Sequence, residues 1–550
     1  MVRTNRENIR ASITSALTVI VAVTTCLAGL SGCARTLVDA RITGREILAP
    51  PVGRAPRINA SAIYGCRPGK PIIYRIPTAG KRPIEFSASS LPESVKLDPK
   101  TGILTGTTPA EKGRYVITFH ARNGEGEDSA QWVLAVGDTL ALTPPMGWNH
   151  WYTHYHSITD KKVRAAADVM VSSGLADAGY SYVSIDDCWM RIDPSYVKDS
   201  TNARRKTASK GLDVKMKSGP TRDAEGRILT ARDFPDMKAL TDHIHGYGLK
   251  AGIYTSPGPR TCQRFEGSGK HEAMDARTFA DWGFDLLKYD WCSYGTVYRQ
   301  LVKKSGDKPL EYKRPYQKMG DLLKGLDRDI VLNLCQYGMG EVWKWGAEVG
   351  GQSWRVGGDL GHTLTEGGVY RIARKTIALG EFNGPGHWND PDYLILGNWT
   401  SPFDKAAPAR PVKLNPNEQY SYMSLWCLMA CPLFFSGDMA TVDDFTRSLL
   451  CNAEMIAVNQ DILGQCADPV VMTDKQWVLK KSLADGSVVV GVFSLDDKHD
   501  SQIDVDFHQL GLAGPVKARD LWRQKDLGAI SDGMKFMVGP SGCAVVRLSK

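Results

Sequence analysis

At 550 residues the chain is longer than one hydrophobic core can organise, so about two to four domains are expected. Hydrophobic residues at 42% and charged residues at 23% are ordinary for soluble globular protein. The net charge of +8 is spread along the sequence rather than gathered in a basic stripe, which argues against nucleic acid as a partner.

The first residues read as an export signal. Arg3, Arg6 and Arg10 precede an apolar run from Ala16 to Leu30, a charged region followed by a hydrophobic one too short to be a membrane span. The run ends in Leu30-Ser31-Gly32-Cys33, which resembles the lipobox of bacterial lipoproteins. That resemblance implies cleavage before Cys33, lipidation of its thiol and attachment to a membrane by acyl chains. Residues 34–57, Pro- and Arg-rich from Ala49, are expected to form a connector.

From 58 to 138 the pattern is of short strands. Tyr115-Val-Ile-Thr-Phe119 and Trp132-Val-Leu-Ala-Val136 are rich in β-branched and aromatic residues, and Asn123-Gly124 between them is a tight-turn signal. With a second turn at Asp98-Pro-Lys-Thr-Gly102, the spacing predicts a β-sandwich. The segment Leu97–Gly106 resembles the immunoglobulin-like modules of bacterial surface enzymes. Packing or spacing is the expected role of such a module, with glycan binding the alternative.

Residues 143–461 alternate between strand and helix. Val163, Ala166, Ala167, Met170 and Val171 recur at helical spacing after a cap at Thr159 or Asp160. Strands are predicted before Asp186-Asp187, at Leu249–Tyr254, at Phe284–Asp290 and at Ile330–Leu334. Such alternation over about 300 residues predicts a closed (β/α)8 barrel with its chemistry at the carboxyl ends of the strands. Residues 462–550 lose the helical pattern and predict a C-terminal antiparallel β-sandwich.

The strand ends gather carboxylates, aromatics and amides: Asp186, Asp187, Tyr254, Lys288, Asp290, Gln336, and later Arg355, Asp359, Asn389, Asp390 and Asp392. A sugar pocket needs this set. Carboxylates bind hydroxyls, aromatic faces cover the apolar side of a pyranose, and two further carboxylates about 5–5.5 Å apart flank the bond in a retaining enzyme. No Cys-x-x-Cys pair stands at metal spacing, which argues against a structural zinc site, and no metal or organic cofactor is expected because two carboxylates would do the chemistry.

Five motifs in order, Met146-Gly-Trp-Asn149, Ile185-Asp-Asp-Cys-Trp-Met190, Leu287-Lys-Tyr-Asp290, Trp388-Asn-Asp-Pro-Asp392 and Ile456-Ala-Val-Asn-Gln-Asp461, resemble the α-galactosidases of glycoside hydrolase family 27. The resemblance implies Asp290 as nucleophile and Asp359 as acid/base, although Val356-Gly-Gly358 before Asp359 departs from the family pattern. It implies that Asp186 and Asp187 hold the galactose 4- and 6-hydroxyls and that Lys288 contacts sugar hydroxyls. It also implies a disulfide between Cys262 and Cys292. Trp148 and Tyr254 would line the pocket, with a rim-core position the alternative for Trp148, and Arg355 and Asp390 would bind substrate. Gln336 stands where relatives place a Glu against the sugar 2-position. This replacement bears on the substrate and leaves the reaction class unchanged.

The expected activity is therefore exo-cleavage of terminal α-galactosyl residues from oligo- or polysaccharides. Family alternatives are α-N-acetylgalactosaminidase, β-L-arabinopyranosidase and isomalto-dextranase. A non-catalytic glycan-binding lipoprotein is the rival of a different class. An insertion from Arg191 to Phe234 follows the second strand, where it either shapes the leaving-group side or is a solvated excursion.

Overall fold

The computed structural model describes residues 35–198, 212–360, 368–399 and 410–550. Cys33 and the export segment lie outside the described residues. No described helix is long and apolar enough to cross a membrane.

Eight parallel strands form the central barrel: β1 (Met146–Asn149), β2 (Tyr182–Ser184), β3 (Lys250–Thr255), β4 (Leu286–Asp290), β5 (Val331–Cys335), β6 (Ser353–Arg355), β7 (Trp388–Asp390) and β8 (Leu433–Phe435). Neighbours pair in chain order and β8 returns to β1, Met146 opposite Leu433. A bridge between Leu394 and Phe435 closes the ring between β7 and β8. Asn389 and Asp390, read from sequence as loop residues, are the last two residues of β7.

Every barrel-strand residue is buried or at the buried limit, because helices cover the outside and side chains fill the inside. Helix Asp160–Ser172 shows the outer layer. Thr159 caps it by accepting from the Lys162 N–H, and Val163, Ala166, Ala167 and Met170 face inward. Helix Pro416–Leu428 is buried on all sides, since it lies between the barrel and the C-terminal domain. Ser421 donates to the Ser541 carbonyl across that junction, and the Trp522 indole donates to Ser424.

The C-terminal sandwich pairs a six-stranded antiparallel sheet with a three-stranded one. The smaller sheet corrects the sequence reading of residues 34–57 as a plain connector. Thr36–Asp39 is a strand paired in parallel with Gly533–Val538, which pairs in turn with Ser501–Asp506. Val38 and Ala40 enter the C-terminal core while Leu37 points outward. Four residues are too short for alternation to stand out from a connector.

The N-terminal module is a β-sandwich of a four-stranded and a three-stranded sheet around Trp132, Phe119, Ile117 and Leu104. Gly102 has φ +70° in its turn, and a side chain there would meet the Phe86 ring at 3.0 Å. The module covers the amino-terminal ends of the barrel strands, opposite the face where barrel chemistry sits. Tyr64 lies under the buried ammonium of Lys250, 4.2 Å from ring centre to Nζ. Arg67 pairs with Asp329 at 2.5 Å and donates to the carbonyls of Lys324, Leu326 and Arg328. Arg75 and Arg82 both reach Asp177. Packing, rather than spacing alone, is what the module does in the fold.

Because Arg67 satisfies one carboxylate and three carbonyls at this seam, Arg67→Ala is expected to cost about 1–3 kcal/mol. Arg67→Lys, which keeps the charge but not the planar fork, should recover only part of it. Thermal denaturation of the three proteins checks this.

Candidate active site

Strand alternation aims Lys288 and Asp290 into the barrel and Tyr289 outward, where it packs edge-on against Tyr316. The Lys288 ammonium, 8% exposed, sits 2.7 Å from Asp186 and 3.9 Å from Asp290. Asp186 Oδ2 also accepts from Asn149 at 3.0 Å and from the Tyr393 hydroxyl at 3.1 Å, while Oδ1 accepts from the Asp187 N–H. Burial works against a charged Lys288, but Asp186 and the other anions around it hold its pKa well above the usual lysine value.

Asp290 accepts a 2.5 Å hydrogen bond from the Tyr337 hydroxyl. Burial raises its pKa, and Lys288 and Tyr337 pull against that rise. Asp187 is pushed up to about 7 by burial, against the N–H groups of Gln263 and Cys188 that donate to it. Cys188, next in the chain, is a free, buried thiol.

Cys262 and Cys292 form a disulfide with 4.7 Å between their Cα atoms. It fastens the loop after β3 to the residue two beyond Asp290. The Tyr254 hydroxyl lies 2.9 Å from Cys292 Sγ, and its ring lies 5.2 Å from the Lys288 ammonium.

Asp359 occupies the opposite kind of environment, its side chain 60% exposed. Arg355, buried at the end of β6, bridges Asp359 at 3.3 Å and Asp392 at 3.0 Å. Asp392 is itself held by the Tyr152 hydroxyl at 2.6 Å and the Leu360 N–H at 2.8 Å. The residue following Asp359 is thus tied to the same carboxylate that orients its arginine.

Three residues expected to touch substrate are buried and also hold protein partners. Trp148 is fully buried with its indole donating to the Gly437 carbonyl, as in the alternative core reading. Asp390 accepts from Asn333 and from the Asp392 N–H. Arg355 is engaged by Asp359 and Asp392. Gln336 is different: it is fully buried, and neither end of its amide has a partner among the described residues.

Residues 143–210 and 212–461 match the family described as alpha galactosidase A, and residues 473–548 match the alpha galactosidase C-terminal beta sandwich domain. Residues 55–137 match an Ig domain. The chain belongs to the alpha-galactosidase A family. The alpha-galactosidase of Cyamopsis tetragonoloba is 32% identical over 445 residues, covering 80% of this chain and 94% of that protein. A crystal structure of a candidate alpha-galactosidase/melibiase from Bacteroides fragilis is 32% identical with a TM-score of 0.78. That match covers 92% of this chain and 99% of the other, so it takes in the N-terminal module as well as the barrel. A family 27 β-L-arabinopyranosidase from Geobacillus stearothermophilus is 26% identical, with a TM-score of 0.62 over 74% of this chain and 97% of its own.

In this member of the family, sequence reasoning passed over Tyr337, Asn149, Tyr393 and Tyr152. Two of them carried a usable signal. Asn149 lies in a quoted motif, and strand alternation turns it to the inside of the barrel if Trp148 faces out. Tyr337 directly follows Gln336 at the end of β5. Tyr152 and Tyr393 touch Asp392 and Asp186 across 240 and 207 residues of sequence, beyond the reach of any local pattern.

The ammonium of Lys288 is buried against carboxylates, so removing one partner strands a charge. Asp186→Ala and Lys288→Met are each expected to cost about 3–5 kcal/mol. The double variant should cost less than their sum by about 2 kcal/mol, within the range of coupled buried pairs. Equilibrium unfolding of the four proteins measures that coupling.

Proposed function

We propose that this chain is an exported, retaining, exo-acting α-galactosidase that releases terminal α-D-galactosyl residues from oligo- or polysaccharides by double displacement. The observation that carries the reading is the contrast between two carboxylates. Asp290 is buried beside Lys288 and the Tyr337 hydroxyl, and Asp359 is exposed on Arg355.

In the first step an Asp290 oxygen attacks the anomeric carbon as the glycosidic bond breaks, and Asp359 gives its proton to the leaving oxygen. A glycosyl ester on Asp290 results. In the second step Asp359 takes a proton from water, whose oxygen attacks the same carbon and expels Asp290. The products are galactose and the free alcohol, and both carboxyls return to their starting states. The chemistry needs no cofactor, because the two carboxylates supply nucleophile, acid and base.

Asp186 and Asp187 would hold the 4- and 6-hydroxyls, with Lys288 beside them. Gln336 offers both a donor and an acceptor without a partner among the described residues, which suits a free 2-hydroxyl. Export and lipid attachment through Cys33 are supported by the charged and apolar leader ending in a lipobox. The Cys262–Cys292 disulfide agrees with an oxidising compartment.

Residues 34–550 should hydrolyse p-nitrophenyl α-galactoside in preference to the α-N-acetylgalactosaminide, β-L-arabinopyranoside and α-glucoside. Proton NMR should show α-galactose released first, and Asp290→Asn should reduce turnover by about a thousandfold or more. Inactivity on α-galactoside with turnover of another glycoside would refute the substrate and direct attention to Gln336 and the 191–234 insertion.

The Tyr337 hydrogen bond favours the ionised form of Asp290, the form that attacks. Removing it raises the pKa, so the acid limb of kcat/KM should move to higher pH. For Tyr337→Phe the shift expected is about one unit, read from the pH profile of the free enzyme.

A further inference from the structure

Arg35, the first described residue, is already fixed to the body of the protein. It pairs with Asp506 at 2.8 Å, and it lies so close to Gly533 that a Cβ there would come within 3.0 Å of its Nε. The strand Thr36–Asp39 follows at once, in register with residues 534–537, and the Ala40 N–H donates to the Met537 carbonyl at 2.8 Å. Val38 and Ala40 fill the core of the C-terminal sandwich. Asp506 stands opposite Gly533 where their two strands pair. Arg35 therefore sits at one end of this domain, beside the turn formed by Ser531, Asp532 and Gly533.

The attachment continues past the strand. The Arg41 guanidinium reaches Asp39 at 2.6 Å and Asp500 at 3.1 Å, and the Arg523 guanidinium donates to the Arg41 carbonyl at 3.3 Å. Arg45 lies over the Phe445 ring, 4.5 Å from its centre. The Tyr420 hydroxyl donates to the Glu46 carbonyl at 2.9 Å and accepts from the Leu48 N–H at 3.2 Å. Exposed ion pairs stabilise little one by one, but here they accompany a paired strand and two core side chains. Contacts with the body recur every few residues from Arg35 to Leu48, so this segment is not a flexible linker.

Only Ala34 separates Arg35 from Cys33, the proposed point of lipid attachment. Two residues of chain span at most about 7 Å, at about 3.6 Å each. The interfacial layer on each side of a bilayer is itself about 5–7 Å deep. Acyl chains on Cys33 would therefore bring the headgroups up to Arg35 and its neighbours.

We infer that a lipid surface lies directly against the end of the C-terminal sandwich formed by Arg35, Asp506 and the 531–533 turn, with no linker between anchor and enzyme. This assignment rests on the lipid anchor proposed above and adds to it the face that meets the membrane. Thr36–Asp39 is an edge strand of its sheet, and Leu37 is 58% exposed on it. An open edge invites pairing with another chain. A headgroup layer against this end shields that edge and gives Leu37 an apolar boundary to enter. Every copy of the enzyme then stands at one height over the lipid, and its substrate must come to it.

The test uses protein matured from the full chain and reconstituted with phosphatidylethanolamine–phosphatidylglycerol vesicles, some of whose headgroups carry a nitroxide quencher. Ser531→Cys places a fluorophore at the assigned contact, and Val116→Cys places one on the N-terminal module. Both positions are exposed, and labelled wild type supplies the background from the native thiols. The Ser531 probe should lose most of its fluorescence on these vesicles, and the Val116 probe should keep it. An insert of about twenty Gly/Ser residues between Ala34 and Arg35, about 25 Å in r.m.s. length, should restore the Ser531 signal while the protein stays on the vesicles. An unquenched Ser531 probe on vesicle-bound protein, equal quenching at both positions, or quenching that survives the insert would overturn the direct contact and leave the anchor standing. Protein that carries no lipid and stays in solution would overturn the anchor and the contact with it.

Discussion

The site is organised around one buried positive charge. Lys288 lies buried at the end of β4 with Asp186 at 2.7 Å and Asp290 at 3.9 Å, and the three side chains are each less than 10% exposed. An ammonium removed from water is strongly destabilising unless anions replace its hydration, and a carboxylate is subject to the same rule. The carboxylates cannot be dispersed without stranding the lysine, nor the lysine removed without driving them toward protonation. Asp186 accepts four hydrogen bonds and so carries most of the compensation. Asp290 is left with one short hydrogen bond and a more distant cation, which leaves its carboxylate less fully stabilised and so more reactive.

Holding that arrangement takes rigid walls below and strained loops above. Below, the N-terminal module seals the barrel with Arg67, Tyr64 and the arginines on Asp177, and no loop of the site takes part. Above, backbone strain collects at the strand ends. Tyr155, Cys188, Cys292, Tyr337 and Asp392 all have positive φ, and each follows a different strand of the barrel. Each such residue costs about 1–3 kcal/mol and persists only where its neighbours fix it. Here the neighbours are the disulfide, the buried Lys217 ammonium, which donates to the Ile158 and Cys188 carbonyls, and the Arg355–Asp392 pair. Stability in one half of the barrel supports strain in the other.

The sequence was most legible where chemistry and periodicity coincide. Asp186, Asp187, Lys288 and Asp290 stand at the ends of apolar runs, so strand prediction alone brings them to one face. Gln336 could be placed the same way, at the end of β5. Legibility failed where the partner is remote or the element short. Trp148 drew attention as an aromatic in a motif, yet the side chain that enters the pocket from β1 is Asn149. Arg355 and Asp390 have the right chemistry for sugar hydroxyls, and their protein partners Asp359, Asp392 and Asn333 could not be read from the sequence. The strand Thr36–Asp39 was hidden because its partner lies about five hundred residues away.

The unequal exposure of Asp290 and Asp359 fits what the proposed double displacement would ask of each. A nucleophile must exclude competing water until the sugar arrives, and burial provides this at the cost of a raised pKa that Lys288 and Tyr337 limit. An acid/base must pass a proton to the departing alcohol and later take one from incoming water, so it needs contact with solvent. Asp359 meets that need by standing outside the charged centre. Arg355 and Asp392 hold it from behind without covering it. In the proposed reading the buried half of the site serves the galactose and its nucleophile, and the exposed half the exchange of protons with solvent.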